Sequence, residues 1–140
     1  MAVDEKAHVE AVVSNYETEI LAKLGLAAID QVRRVRTIAL VDKGLLRPVI
    51  PAEMAESLGL ASEGQIQVEV QVGLRVLEMA RPLVRVRLEL LGRHGSYRAV
   101  AEPMTRTVII GRIVLDDLDL IVDGTSVRPR HPKYIVTEIE

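Results

Sequence analysis

The chain has 140 residues, 49% of them apolar, and a formal net charge of −2. This length and composition predict one globular domain. Positive and negative charges are mixed along the chain, so it lacks the basic excess of a nucleic-acid-binding surface. The absence of cysteine excludes disulfides, thiol catalysis and cysteine-based zinc sites. Early acidic residues and the lack of a long apolar run predict neither a signal peptide nor a membrane span, and hence a soluble, cytoplasmic protein.

The apolar residues favour strands over helices. The chain contains no Phe or Trp and three Tyr, so its core must be built from Val, Leu, Ile and Ala. Because β-branched side chains pack well on a pleated surface, this composition favours a mostly β domain. In chain order, the patterns predict a strand at 7–13, a helix at 16–24, a strand at 33–41, a helix at 52–58, a hairpin at 65–80, strands at 83–91, 96–102 and 107–110, a helical turn at 114–118, a strand at 120–122 and an extended tail from 125.

Local signals mark the ends of several of these elements. Asn15 offers an N-cap oxygen to the first helix, and glycines follow both predicted helices. Residues 65–72 alternate between polar and apolar side chains, which is typical of a half-buried strand. Gly73 allows the turn of the hairpin, and a second turn is predicted at 92–95.

Two apolar strands that lead into glycine lie about 70 residues apart. Residues 39–44 read ALVDKG, and residues 108–112 read VIIGR. Between them, residues 49–60 read VIPAEMAESLGL, and residues 118–123 near the C-terminus read LDLIVD. In this order and spacing, the motifs resemble bacterial members of the retropepsin-like family of aspartic proteases. In that family a strand ends in Asp-Thr-Gly or Asp-Ser-Gly, and a later apolar strand ending in glycine passes beneath that loop.

The resemblance covers about residues 38–132 and implies a fold. The expected architecture is a single-lobe, closed β-barrel with two or three short helices. It implies a single domain over residues 1–140, with an N-terminal extension at 1–31 that holds the first helix, a protease-like core at 32–132 and a tail at 133–140.

The resemblance also implies site residues. Asp42 would be the catalytic carboxylate, in a loop with Lys43 and Gly44. Aspartic proteases use two carboxylates that share a proton, so two copies of Asp42 would have to meet in a homodimer. The supporting strand would be formed by Ile109, Ile110, Gly111 and Arg112. A peptide or protein substrate would lie under the 65–80 hairpin, the flap, whose tip is Val72, Gly73 and Leu74. No metal or other cofactor is implied.

The catalytic loop departs from the family pattern. Lys43 stands where the family keeps a hydroxyl that donates and accepts across the dimer, and an ammonium cannot accept. A cation beside Asp42 would lower its pKa and oppose a shared proton. Leu46 stands where retroviral members keep an acid that pairs with the arginine equivalent to Arg112. These departures predict weak or absent proteolysis and a second hypothesis, a protease-fold dimer that binds without cleaving.

Other interpretations of the sequence stay open. An unrelated small β-barrel would be monomeric, with Asp42 far from any symmetry mate. Arg81 and Arg85 resemble the arginine pair of cyclic-dinucleotide-binding barrels, although the companion motif of that family is missing. Four aspartates near the C-terminus suggest a cation site, but their alternation with apolar residues favours a solvated face; they are Asp116, Asp117, Asp119 and Asp123. The three histidines are scattered and are expected at the surface.

Overall fold

A computed structural model describes residues 6–28 and 33–132. Its elements are β1 (His8–Ser14), α1 (Tyr16–Lys23), β2 (Arg34–Val41), β3 (Val49–Pro51), α2 (Ala52–Ser57), β4 (Ser62–Val72), β5 (Arg75–Leu90), β6 (Arg93–Glu102), β7 (Ile109–Ile110), α3 (Arg112–Asp117), β8 (Leu120–Asp123) and β9 (Ser126–Pro129). The predicted mostly β class with short helices is confirmed. The predicted tail at 133–140 and the boundary between 31 and 32 lie outside the described residues. None of the described helices has the length and apolar character needed to span a bilayer.

Six strands form a closed ring. Neighbours pair in the order β1-β2-β7-β3-β6-β5, and β5 pairs back to β1, while β4 continues from β5 as an edge strand. The side chains that face the inside of this ring form the core, including Val13, Ile50, Leu88 and Ile110, each fully buried. Strand β1 is an integral part of the ring, although it lies in the segment that the sequence separates as an extension.

A helix cap and a turn show how local interactions set the ends of elements. The side chain of Asn15 accepts a hydrogen bond from the Thr18 amide, as its N-cap position predicts. The turn between β5 and β6 consists of Leu91 and Gly92, both at positive φ. The prediction of a turn at 92–95 was therefore wrong by one to three residues, since a leucine at positive φ gives no turn signal in the sequence.

Residues 41–60 and 101–120 have the same fold, sixty positions apart. Helices α2 and α3 begin at Ala52 and Arg112, and the short strands β3 and β7 precede them in both copies. Val49 pairs with its own counterpart Ile109 in an antiparallel register. Each short strand also pairs with the long strand that precedes the other copy: β7 pairs with β2 and β3 pairs with β6, both in parallel. An internal pseudo-twofold axis therefore passes between β3 and β7.

Candidate functional site

Asp42 is the first residue after β2, and its carboxylate stabilises the following turn. Its backbone amide donates to the Ile110 carbonyl at 3.0 Å, which continues the β2–β7 pairing. Its Oδ1 accepts a hydrogen bond from the Gly44 amide at 2.9 Å. A Cβ on Gly44 would lie 3.1 Å from the same oxygen. The predicted active-site loop is thus a tight turn that begins at an acid and is closed by a glycine.

The second oxygen of Asp42 is bound by a lysine that the sequence did not single out. Lys6 Nζ lies 2.7 Å from Asp42 Oδ2, and the two side chains are 49% and 29% exposed. The hydrogen bond from Lys6 is the largest cause that lowers the pKa of Asp42; the Gly44 amide and the charge of Lys6 lower this pKa further, while burial opposes them. Asp42 is therefore held as a carboxylate. The sequence predicts Lys43 as the cation that lowers this pKa, but Lys6 has this role in the structure. Lys43 is exposed and is not among the causes of the shift.

The predicted supporting strand does lie against this loop. A Cβ on Gly111 would come within 2.5 Å of the Arg47 carbonyl oxygen and 2.7 Å of the Leu46 carbonyl oxygen, so this position requires glycine. The amides of Arg112 and Ile113 donate to the carbonyls of Leu45 and Leu46 at 2.8 and 3.0 Å. Backbone contacts thus connect the start of α3 to the loop, and the side chain of Arg112 is exposed.

The pseudo-twofold axis places Glu102 where the first copy has Asp42. Glu102 Oε1 accepts from the Met104 amide at 3.1 Å, just as Asp42 accepts from Gly44. Its Oε2 lies 2.8 Å from Arg81 Nε, and the side chains of Arg81 and Glu102 are only 9% and 14% exposed. When both strand registers are continued by two residues, Arg81 lies opposite Glu102 as Lys6 lies opposite Asp42. The two copies therefore share an acid, a capped turn and a facing cation.

An apolar groove of about 550 Å³ lies beneath the β4–β5 hairpin. It is lined on the ring side by Leu45, Val49, Val100 and Ile109, and on the hairpin side by Ile66, Val68 and Val70. Its volume falls within the range of small-molecule pockets. Arg47 and Glu102 also line it. The groove thus lies where the sequence predicts the substrate cleft.

Asp42 lies outside this groove, in a neighbouring recess. Asp42, Lys43 and Gly44 line this recess together with Lys6 and the β8–β9 turn. The loop from Asp42 to Arg47 connects the two places, because Leu45, Leu46 and Arg47 form part of the groove wall. A single chain therefore brings the acid and the groove side by side but does not place the acid inside the groove.

The predicted flap tip forms a turn at the far end of the hairpin. Gly73 has a φ of 62°, and Val72 pairs with Arg75 across the turn. The side chain of Leu74 is fully exposed, and that of Val72 is 46% exposed. The hairpin therefore projects from the ring, and Ile66, Val68 and Val70, which lie nearer its base, line the groove.

The residues behind the alternative interpretations have separate partners. Arg81 pairs with Glu102, while Arg85 makes two hydrogen bonds of 3.0 and 2.9 Å to Glu63. Three of the four C-terminal aspartates make individual contacts: Asp117 with the Tyr97 hydroxyl, Asp119 with His131 and Asp123 with Arg128. Within residues 6–28 and 33–132 no group of three acidic or histidine side chains converges as metal ligands would.

Comparison with known proteins assigns no family. No protein-family model matches the chain, and no curated protein matches its sequence. The resemblance to the retropepsin-like family therefore stays a prediction from the sequence motifs.

Proposed function

We propose that the chain is a single-lobe, retropepsin-like aspartic peptidase that acts as a homodimer on an extended peptide. One observation carries the proposal. The turn that begins at Asp42 packs on the Gly111 strand and continues directly into the wall of the apolar groove beneath the hairpin. This arrangement supports a role in which Asp42 acts at the edge of a groove that binds a peptide.

The second carboxylate has to come from another copy of the chain. The equivalent acid within the chain, Glu102, is neutralised by the buried Arg81. In the proposed dimer, one Asp42 takes a proton from water, whose oxygen attacks the peptide carbonyl. The other Asp42, which carries the shared proton, protonates the leaving nitrogen. Apolar side chains of the substrate occupy the groove, where the closed hairpin excludes water.

Cleavage and self-association together test this proposal. We expect sedimentation velocity to show a dimer, and purified protein to cleave unfolded casein at about pH 4–6. Asp42→Asn should lower the rate at least about 100-fold, since it removes the group that activates water. Asp116→Asn, which removes an exposed acid on α3, is the matched control and should leave the rate unchanged. Cleavage that survives Asp42→Asn, or a strictly monomeric protein, contradicts the proposal.

A second candidate is a dimer of the same fold that binds peptides without cleaving them. The observation that favours it is that Gly44 and Lys6 occupy both oxygens of Asp42. Lys43 adds a second cation at the position where the family keeps a hydroxyl. Under this candidate, a fluorescein-labelled aliphatic peptide binds and stays intact, and Lys43→Thr does not produce cleavage.

A further inference from the structure

The turns that begin at Asp42 and Glu102 differ in how firmly each acid holds its facing cation. In the second copy, the Arg81 and Glu102 side chains are almost completely buried, and Arg81 also donates to the Ala80 carbonyl at 3.1 Å. In the first copy, Lys6 is half exposed, lies two residues before β1 and carries its charge on a flexible side chain. A facing cation is therefore common to both copies, but only in the first is it free to leave.

The Lys6–Asp42 ion pair is incompatible with a shared proton at Asp42. Two carboxylates share a proton only when one of them is protonated. In this chain an ammonium at 2.7 Å and an amide at 2.9 Å stabilise the charged form of Asp42. An ammonium has three donors and no acceptor, so Lys6 cannot share that proton in place of a second carboxylate.

We propose that Lys6 is a displaceable counter-ion of Asp42, which keeps the isolated chain in a resting form and leaves when two Asp42 carboxylates meet. This inference rests on the proposed function. Lys6 thus controls the site, whereas Arg81 has a permanent structural role.

The surroundings of Asp42 allow this displacement. The recess around the ion pair has a volume of about 420 Å³. Among the described residues, the charged ones that line it are Asp42, Lys6 and Lys43, and the β8–β9 hairpin adds the uncharged Val122 and Gly124. Within the described part of the chain, no packed element stands in the way of a movement of Lys6 into this recess, and its exposed ion pair with Asp42 is weak enough to exchange.

Titration of the Asp42 carboxyl carbon by NMR tests the contact without requiring activity. Because Lys6 lowers the Asp42 pKa, wild-type Asp42 stays charged to a lower pH, and Lys6→Gln should shift its titration to higher pH. Lys43→Gln, the matched loss of a neighbouring charge, should shift it less, and Lys6→Arg should restore the wild-type value. Circular dichroism verifies that each variant is folded. An unchanged titration in Lys6→Gln overturns the proposal.

Self-association and the pH profile test the regulatory role. We expect Lys6→Gln to dimerise at least about threefold more tightly than wild type at the same pH. Its casein cleavage should increase, and the pH range in which one Asp42 is protonated should move upward. Tighter association in Lys43→Gln but not in Lys6→Gln overturns the role of Lys6, as does an unchanged dimer constant in Lys6→Gln. Failure of the proposed peptidase looks different: no variant cleaves casein, although the NMR shift and the tighter association of Lys6→Gln are still observed.

Discussion

Burial decides what the two ion pairs of the repeat can do. Taking charges out of water is costly, so a buried pair is stable only while both partners are present. Arg81 and Glu102 meet this condition, because their charges face each other at 2.8 Å in the wall of the ring. Lys6 and Asp42 remain partly hydrated, so losing one partner leaves a charge that water can still solvate.

Replacing Arg81 by methionine should therefore destabilise the protein strongly. The change leaves the Glu102 carboxylate buried and unpaired, and we expect a loss of about 3 kcal/mol in the free energy of unfolding at neutral pH. Urea denaturation followed by circular dichroism measures it. Arg85→Met is the matched control and should cost much less, because its partner Glu63 lies at the surface.

A double variant separates the ion pair from the packing of the arginine stem. Arg81→Met with Glu102→Leu removes both charges, and we expect it to recover most of the stability lost in Arg81→Met. If the double variant is as unstable as the single one, lost packing of the Arg81 side chain is the cause and the buried charge is not.

Sequence motifs located only part of this site. Asp42, Gly44 and Gly111 were predictable because each follows an apolar strand that ends at a turn or at a helix start, and the structure brings the two segments together. Lys6 was not predictable, because it is a single lysine 36 residues before its partner. Glu102 gave no signal either, since an acid at the end of a strand is common in turns.

At the scale of elements, β5 joins two different environments. Its C-terminal half lies between β1 and β6, with Val86, Leu88 and Leu90 fully buried. Its N-terminal half pairs only with the edge strand β4, and most of its side chains are exposed. A two-stranded ribbon without a packed face is barely stable alone, so the hairpin should open independently of the ring.

Amide hydrogen exchange should show this difference within one strand. We expect the hydrogen-bonded amides of residues 75–80 to exchange at least about 100-fold faster than those of residues 84–90, because opening the hairpin exposes no core. Exchange measured by NMR at neutral pH gives both sets in one experiment. Equal protection along β5 would mean that the hairpin is as rigid as the ring, and closure over a substrate would then have no mobile element.

Most elements were predictable where local chemistry specifies them. Helix α1 has its N-cap at Asn15, and β4 follows its period-two pattern down to the turn at Gly73. The predicted strand ends were wrong where pairing with distant strands decides where a strand begins or ends. The predicted strand at 107–110 shortens to Ile109–Ile110, because its pairing with β2 and β3 is limited to this segment. The hairpin arm and the strand at 83–91 are one continuous strand, β5.

At the scale of the whole molecule, the repeat was hidden from the sequence. Across the twenty aligned positions of 41–60 and 101–120, only three residues are identical: Ile50 with Ile110, Leu58 with Leu118, and Leu60 with Leu120. Burial nevertheless agrees at most of the twenty positions, as Ala55 and Leu115 illustrate with 7% and 4% exposure. Burial and turn geometry are thus retained between the copies while side-chain identity is not.

The two halves of the chain, β1–β4 before the hairpin turn and β5–β9 after it, pair their strands with each other and therefore depend on each other. Strand β2 of the first half pairs with β7 of the second, and β3 pairs with β6 and β7. Neither half can close a ring alone, so each would leave long sheet edges unpaired. The only covalent link between them passes through the exposed hairpin turn at Gly73 and Leu74.

A cut at this turn should therefore leave the fold intact. We expect a variant with a protease site inserted between Gly73 and Leu74 to elute unchanged from a native sizing column after cleavage, with the same circular dichroism spectrum. The two fragments should separate only in denaturant, because the pairings across the axis hold them together. Produced separately, each fragment should lack a cooperative thermal transition.

An insertion and cut in the loop at 42–48 is the control, and it should destabilise the protein because that loop packs against Gly111 without spare room. A single fragment that unfolds cooperatively would show that one half is a fold by itself and that the pseudo-twofold pairing is secondary to its stability.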